Sequence, residues 1–155
     1  MNKTETIFIG TDHAGFKLKE ILIPFLFGLG YDVVDKGAEV LDSEDDYPDY
    51  VALVAKEVSN NPGSSKGIIL GGSGQGEAIA ANRFFGVRAA VYYGGPTEIL
   101  RLSREHNDAN VLSLGAKFLK EDEAKTAVEM WLSIPFSEDE RHKRRIKKIE
   151  EKSEE

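Results

Sequence analysis

The sequence predicts a doubly wound α/β domain: three layers, α/β/α, around a five-stranded parallel sheet, with a further C-terminal helix. Short apolar runs alternate with amphipathic stretches, giving the order βαβαβαβαβα. Most of the runs are nearly unbroken in their apolar character, which suits strands covered on both faces. The 155 residues are enough for one domain with a sizeable core and few for two. With no internal repeat and no dividing linker, residues 1–155 read as a single domain.

Strands are expected at 7–10, 32–35, 67–70, 87–91 and 111–114. Between the first two, Leu18, Ile21, Leu22, Phe25, Leu26 and Leu29 recur at three- and four-residue spacing, predicting a helix over 16–29. Pro24 lies inside it and predicts a kink or an early break. Further helices are expected at about 47–59, 76–84, 97–106 and 121–132. The stretch 138–155 is highly charged and reads as a solvated helix, frayed over the tail 150–155.

The composition, 41% hydrophobic and 30% charged, is that of a soluble globular protein. A formal net charge of -7 argues against broad nucleic-acid or acidic-membrane binding, while leaving room for a local basic patch that holds one anion. Cysteine is absent, which excludes disulfides, thiolate zinc sites and a thiol nucleophile and fits an intracellular protein. The opening residues 1–5 show no secretory signal, and no apolar run approaches the roughly 20 residues that span a bilayer. A cytoplasmic location is expected.

In sheets of this kind ligands sit beyond the carboxyl ends of strands, near a switch in strand order. The turns after the first and third strands are therefore the candidate site. The first is Gly10-Thr11-Asp12-His13-Ala14-Gly15, which puts Asp12 and His13 at the mouth of the crevice. Asp12 serves equally well as a cap for the next helix. The third strand ends in Gly71-Gly72-Ser73-Gly74-Gln75-Gly76-Glu77. Four glycines in six residues let backbone N–H groups approach a ligand closely, and a helix amino terminus follows.

The loop is not a P-loop, since no Lys-Ser or Lys-Thr follows the glycines. The dinucleotide fingerprint fails on glycine spacing, and the Gly-x-Ser-x-Gly elbow fails because Gln75 follows Gly74. An oxyanion cradle with a carboxylate beside it remains. Glu77 is either a first-turn glutamate favoured by the helix dipole or a general base next to N–H donors. Moving a proton between adjacent sugar carbons needs that base and donors for the enediolate, and the functional reading is preferred.

Arg141 and Arg145, four apart in the basic run Arg141-His142-Lys143-Arg144-Arg145, share a helix face and can grip one phosphate or simply be solvated. His106 closes the fourth helix, where it can complement the dipole. His13, His106 and His142 are too scattered along the chain to suggest a metal site.

Several segments taken in order resemble the ribose-5-phosphate isomerase B family, which also contains galactose-6-phosphate isomerases. They are 10–15, Asp46-Tyr47-Pro48-Asp49-Tyr50, Gly71 to Glu77 continuing into Ile79-Ala80-Ala81-Asn82-Arg83, Arg104-Glu105-His106-Asn107-Asp108-Ala109-Asn110, and Arg141-His142 with Arg145. The resemblance runs from about Ile7 to Ile149 and implies a Rossmann-like sheet. It also implies a metal-independent, cofactor-free aldose–ketose isomerase of the pentose phosphate pathway, working as a homodimer or a dimer of dimers. Many members carry a cysteine base at the position of Gly71. This chain instead resembles the branch whose loop supplies a glutamate, matched by Glu77.

The resemblance further implies that His106 assists ring opening, that Asn107 and Asp12 contact the sugar, and that Ser73 with the N–H groups of Gly72, Gly74 and Gly76 cradles the enediolate. His13, Arg141 and Arg145 match phosphate-binding positions. Lys117 stands where many relatives have an arginine, keeping the charge but losing the planar fork.

The expected substrate pair is ribose 5-phosphate and ribulose 5-phosphate. The rivals are a tetrose or hexose phosphate, a non-catalytic sugar-phosphate-binding domain and, more weakly, a nucleotide-binding module. One topological expectation follows from the residues themselves. Asp12 and the 72–77 loop follow strands, whereas His106 precedes the fifth strand and so belongs at the opposite sheet edge. His106 is therefore expected to reach Glu77 from a two-fold-related partner.

Overall fold

The structure, a computed structural model, describes residues 5–153. Residues 1–4 and 154–155, on which part of the reading of both termini rested, lie outside the described residues. Five parallel strands form one sheet: β1 (Thr6–Thr11), β2 (Asp32–Asp35), β3 (Lys66–Gly71), β4 (Ala89–Tyr92) and β5 (Val111–Gly115). Their order is β2-β1-β3-β5-β4, so the chain reverses its direction of travel across the sheet between β1 and β3. That is the switch point at which both glycine-bearing turns emerge.

Each inner strand feeds both faces. Ile7, Ile9, Ile68, Leu70, Leu112 and Leu114 pack into one core with Leu18, Leu22 and Leu26 of α1 (Phe16–Gly28) and Leu100 of α4 (Glu98–Glu105). Val128 and Trp131 of α5 (Glu121–Ser133) complete that core. Ile69 and Val111 pack into the other core, with Val51, Val54 and Val58 of α2 (Tyr47–Asn60) and Ala81 of α3 (Gln75–Ala81). The period-2 alternation within β3 and β5 thus divides one hydrophobic run between two layers of helices. The edge strand β2 is less apolar, with Asp32, Val34 and Asp35 exposed.

Two expectations need correction. Helix α1 runs unbroken through Pro24 to Gly28. Pro24 lies on the exposed face, where water can satisfy the carbonyl left without its N–H partner, while Leu18, Leu22 and Leu26 anchor the other side. The third helix starts at Gln75 and stops at Ala81, shorter than 76–84. Asn82 ends it by turning its side chain to β4: Oδ1 accepts from Ala89 N (2.8 Å) and Nδ2 donates to Ala89 O (3.2 Å). The last helix, α6 (Glu140–Ser153), covers most of the highly charged stretch expected to be a solvated helix. Glu150 pairs with Arg88 Nη1 at 3.1 Å and ties its far end to the body.

Candidate active site

Thr11, at the end of β1, donates from Oγ1 to Leu70 O at 2.9 Å and so fastens the first turn to the end of β3. The turn then passes so close to the sheet that a Cβ on Gly15 would sit 2.4 Å from Thr11 Oγ1 and 2.5 Å from Leu70 Cβ. On the other side, Ser113 donates to Gly74 O at 2.7 Å, and Lys117 N–H donates to Gly72 O at 3.0 Å. Gly74 takes φ = 80°, a left-handed conformation that lets α3 start at once. These bonds bring Asp12, His13, Gly72, Ser73, Gly76, Glu77 and Lys117 around one cleft of about 490 Å³, together with Ala14, Tyr47 and Phe118. That volume accommodates a small phosphorylated sugar.

Glu77 lies in the first turn of α3 and is only 4% exposed. Burial pushes its pKa above the ordinary glutamate value, and the nearby Asp12 charge adds to this; backbone hydrogen bonding at Glu77 and Gly74 opposes it. The result is a stronger base than an exposed glutamate. Its carboxylate fills the space a side chain at position 71 would need: a Cβ on Gly71 would lie 1.9 Å from Glu77 Oε2 and 2.0 Å from Cδ. A carboxylate seated here leaves no space for a Cβ at 71, the physical counterpart of the two branches that the family resemblance implies.

Asp12 caps the turn and also lines the cleft. Oδ1 accepts from Ala14 N at 3.0 Å, capping the 3-10 turn His13–Gly15, while the residue lines the cleft. Its pKa is also raised, chiefly by burial. Tyr47 stands in one of the segments that carry the resemblance but was given no site role, yet its ring covers Gly76 so closely that a Cβ there would lie 2.5 Å from the hydroxyl oxygen. The Tyr-Pro start of α2 places it, but nothing local says which loop it meets. Asp45 was likewise missed. Its Oδ1 accepts from both His13 N (3.0 Å) and His13 Nδ1 (2.7 Å). Asp12, His13 and Asp45 have potential ligand atoms within 4.8 Å of one another. The 2.7 Å Nδ1–Oδ1 separation is a hydrogen-bond distance.

The remaining sequence-predicted residues lie elsewhere. His106 caps α4 and stacks on His142 (ring centroids 4.1 Å, planes 19° apart), in a second cleft lined by Glu105, Phe136, Asp139 and Arg141. Burial lowers the pKa of His142, with His106 contributing. Asn107 turns into a third cleft beside Asn82, Arg88 and Ile149. Arg145 is exposed, one turn beyond Arg141 on α6. None of these residues lines the Glu77 cleft. Since Gly67 pairs with Val111 and Gly71 with Gly115, the loop after β3 and the turn before β5 stand at opposite ends of the same strand pair.

Residues 7–149 match the model of the family described as Ribose/Galactose Isomerase. The chain belongs to this family. Across it, the chain is 41% identical over 140 residues to ribose-5-phosphate isomerase B of Mycobacterium leprae, covering 90% of this chain and 85% of that one. It is 38% identical over 143 residues to the Escherichia coli ribose-5-phosphate isomerase B, covering 92% and 93%. Among solved structures of the ribose/galactose isomerase family, ribose-5-phosphate isomerase B from Mycoplasma genitalium with bound ribulose-5-phosphate superposes with a TM-score of 0.92. It is 39% identical and covers 97% of each chain. Membership makes this chain an aldose–ketose isomerase.

Proposed function

We propose that the chain interconverts ribose 5-phosphate and ribulose 5-phosphate through an enediolate, with Glu77 as the base. The observation that carries this is the buried Glu77 carboxylate, raised in pKa and seated over Gly71 in the wall of the cleft. In the open-chain aldose, Glu77 takes the proton on C2 while the C1 carbonyl oxygen gains negative charge. The N–H groups of the Gly72–Gly76 loop and the Ser73 hydroxyl are the donors for that charge, which lowers the barrier only as the enediolate forms; Gly72, Ser73 and Gly76 line the cleft. Glu77 then returns the proton to C1, and a proton passes between the two oxygens to leave the carbonyl at C2. Asp12 holds a sugar hydroxyl, and His13 and Lys117 face the phosphate.

His106 serves ring opening and Asn107 contacts the sugar, both from a two-fold partner, and Arg141 and Arg145 reach the phosphate from the same partner. The separation of the His106–Arg141 cleft from the Glu77 cleft supports a shared site, because each holds half of the expected chemistry. The working unit is then a homodimer. The ribulose-5-phosphate bound to the Mycoplasma genitalium relative supports the choice of pentose.

The test is turnover of four-, five- and six-carbon aldose phosphates under one set of conditions. Ribose 5-phosphate should give the highest kcat/KM. A tenfold preference for a tetrose or hexose phosphate would replace the pentose assignment, and binding without turnover of any of them would leave a sugar-phosphate-binding domain.

A further inference from the structure

The loop between β2 and α2 carries Asp42, Glu44, Asp45, Asp46 and, just inside the helix, Asp49. Most of these side chains are exposed, but the Asp45 side chain is 6% exposed. The loop is held from beneath by Lys19, fully buried, which donates to both Asp35 oxygens (2.7 and 2.8 Å) and to Ala38 O (2.9 Å). From there Asp45 reaches across 32 residues of sequence to grip His13 twice with one oxygen, at the backbone N–H and at ring Nδ1. Two bonds to one residue fix both the turn and the ring, leaving Nε2 as the ring nitrogen available to the cleft that His13 lines. Asp45 Oδ2 makes no hydrogen bond of normal geometry among the described residues, although Tyr50 lies close to the carboxylate.

We propose that Asp45 is a positioning residue for substrate phosphate: it clamps His13 so that Nε2–H is presented to the phosphate as a fixed, charged donor beside Lys117. This rests on the reading that His13 meets the phosphate. A neutral ring free to turn would offer phosphate a lone pair as readily as a proton, whereas an imidazolium held by Nδ1 offers only a donor. The hydrogen bond from Asp45 raises the pKa of His13, partial burial opposes it, and Asp12 and Asp42 raise it further. Tyr50 faces the same Asp45 carboxylate. With the carboxylate in place the imidazolium persists to higher pH; without it, charge is lost at lower pH.

The test uses the full chain with Asp45→Asn, His13→Gln and the double variant. Three quantities are measured: KM and kcat for ribose 5-phosphate across pH, the inhibition constant of inorganic phosphate, and the titration of His13 by NMR. Asp45→Asn should raise KM and the phosphate inhibition constant about tenfold at neutral pH, the loss of one charge-assisted bond. It should leave kcat within about threefold, lower the pKa of His13, and move the rise of KM with pH to lower pH. In the His13→Gln background Asp45→Asn should add nothing further. An unmoved His13 titration, or fully additive effects in the double variant, would overturn the clamp. If His13→Gln itself leaves KM unchanged, the phosphate role of His13 fails first; if only Asp45→Asn is silent, the Asp45 inference alone fails. Asp45→Ser repeats the measurements should the asparagine variant not fold.

Discussion

Gly71→Ala is the substitution on which the glutamate assignment turns. Gly71 ends β3 in extended backbone, paired with Gly115, and its φ is not left-handed, so alanine adds no backbone strain. The three atoms it would meet first all belong to Glu77. The new methyl would start 1.9 Å from Oε2, 2.0 Å from Cδ and 2.4 Å from Oε1. To reach ordinary contact distance the carboxylate must retreat by about 1.5 Å, far up the repulsive wall otherwise. A displacement of about 1 Å at a reacting group costs on the order of 10²-fold, and removing a general base altogether costs about 10²–10⁴-fold. The expected loss in kcat/KM is therefore between about 10²- and 10⁴-fold, or roughly 3–5 kcal/mol of transition-state stabilisation. KM should change little, because the phosphate groups are untouched. The assay is formation of ribulose 5-phosphate, with circular dichroism to establish folding. Gly28→Ala, where no heavy atom lies within 4 Å, is the control for glycine replacement in general and should keep full activity. A folded Gly71→Ala protein retaining a third or more of wild-type kcat/KM would refute the claim that Glu77, in this position, is the base.

Glu77→Gln should lower kcat about 10²–10⁴-fold with KM little changed, since shape remains and basicity goes. Its stability should move the other way. The folded pKa of Glu77 lies above the ordinary 4.5, so the unfolded chain releases this proton first and stability falls as pH rises from about 4.5 through the folded value. Glutamine removes that penalty, so Tm at pH 7.5 should match or exceed wild type, the difference vanishing near pH 4; a lower Tm at pH 7.5 counts against it. Mixing Glu77→Gln with His106→Ala under subunit exchange should restore roughly a quarter of wild-type sites by random pairing in a two-fold dimer. Verified exchange with no recovered activity would place His106 in its own subunit's site or outside the reaction. Arg145→Ala should raise KM for the sugar phosphate with Tm unchanged, since Arg145 is exposed and no ion pair is found for it among the described residues. If KM and kcat both stay put, α6 is a solvated helix. Lys19→Met should cost about 2 kcal/mol in urea unfolding, less than a fully buried pair because Asp35 is 39% exposed and can rehydrate. A change below about 0.5 kcal/mol would show that the pair does not hold the loop.

The order of elements and the site loop were legible because both are written locally. Five strands appear in short apolar runs, and each is found within one or two residues of its expected bounds. The glycines from 71 to 76 declare a backbone that must approach something, and Glu77 is the carboxylate attached to that turn. Both facts survive without knowing what lies opposite. Pro24 shows the limit of such reading. Its cost depends on which face of the helix it occupies, and there the side away from the core decides.

What only the tertiary structure decided are relations between distant segments. Asp45 sits in an acidic run whose composition reads as solvent-facing, and its burial against His13 comes from where β1 and the β2–α2 loop meet in space. The cover that Tyr47 gives Gly76 and the stack of His106 on His142 are of the same kind. So is the void above Gly71: the sequence shows a glycine there and a glutamate six residues later, but not that the carboxylate folds back into the missing side chain's space. Apolar periodicity and turn chemistry depend on neighbours along the chain, and a sequence displays them directly. A contact between side chains dozens of residues apart depends on the register of the sheet and the packing of two helix layers, and those exist only once the whole chain has folded.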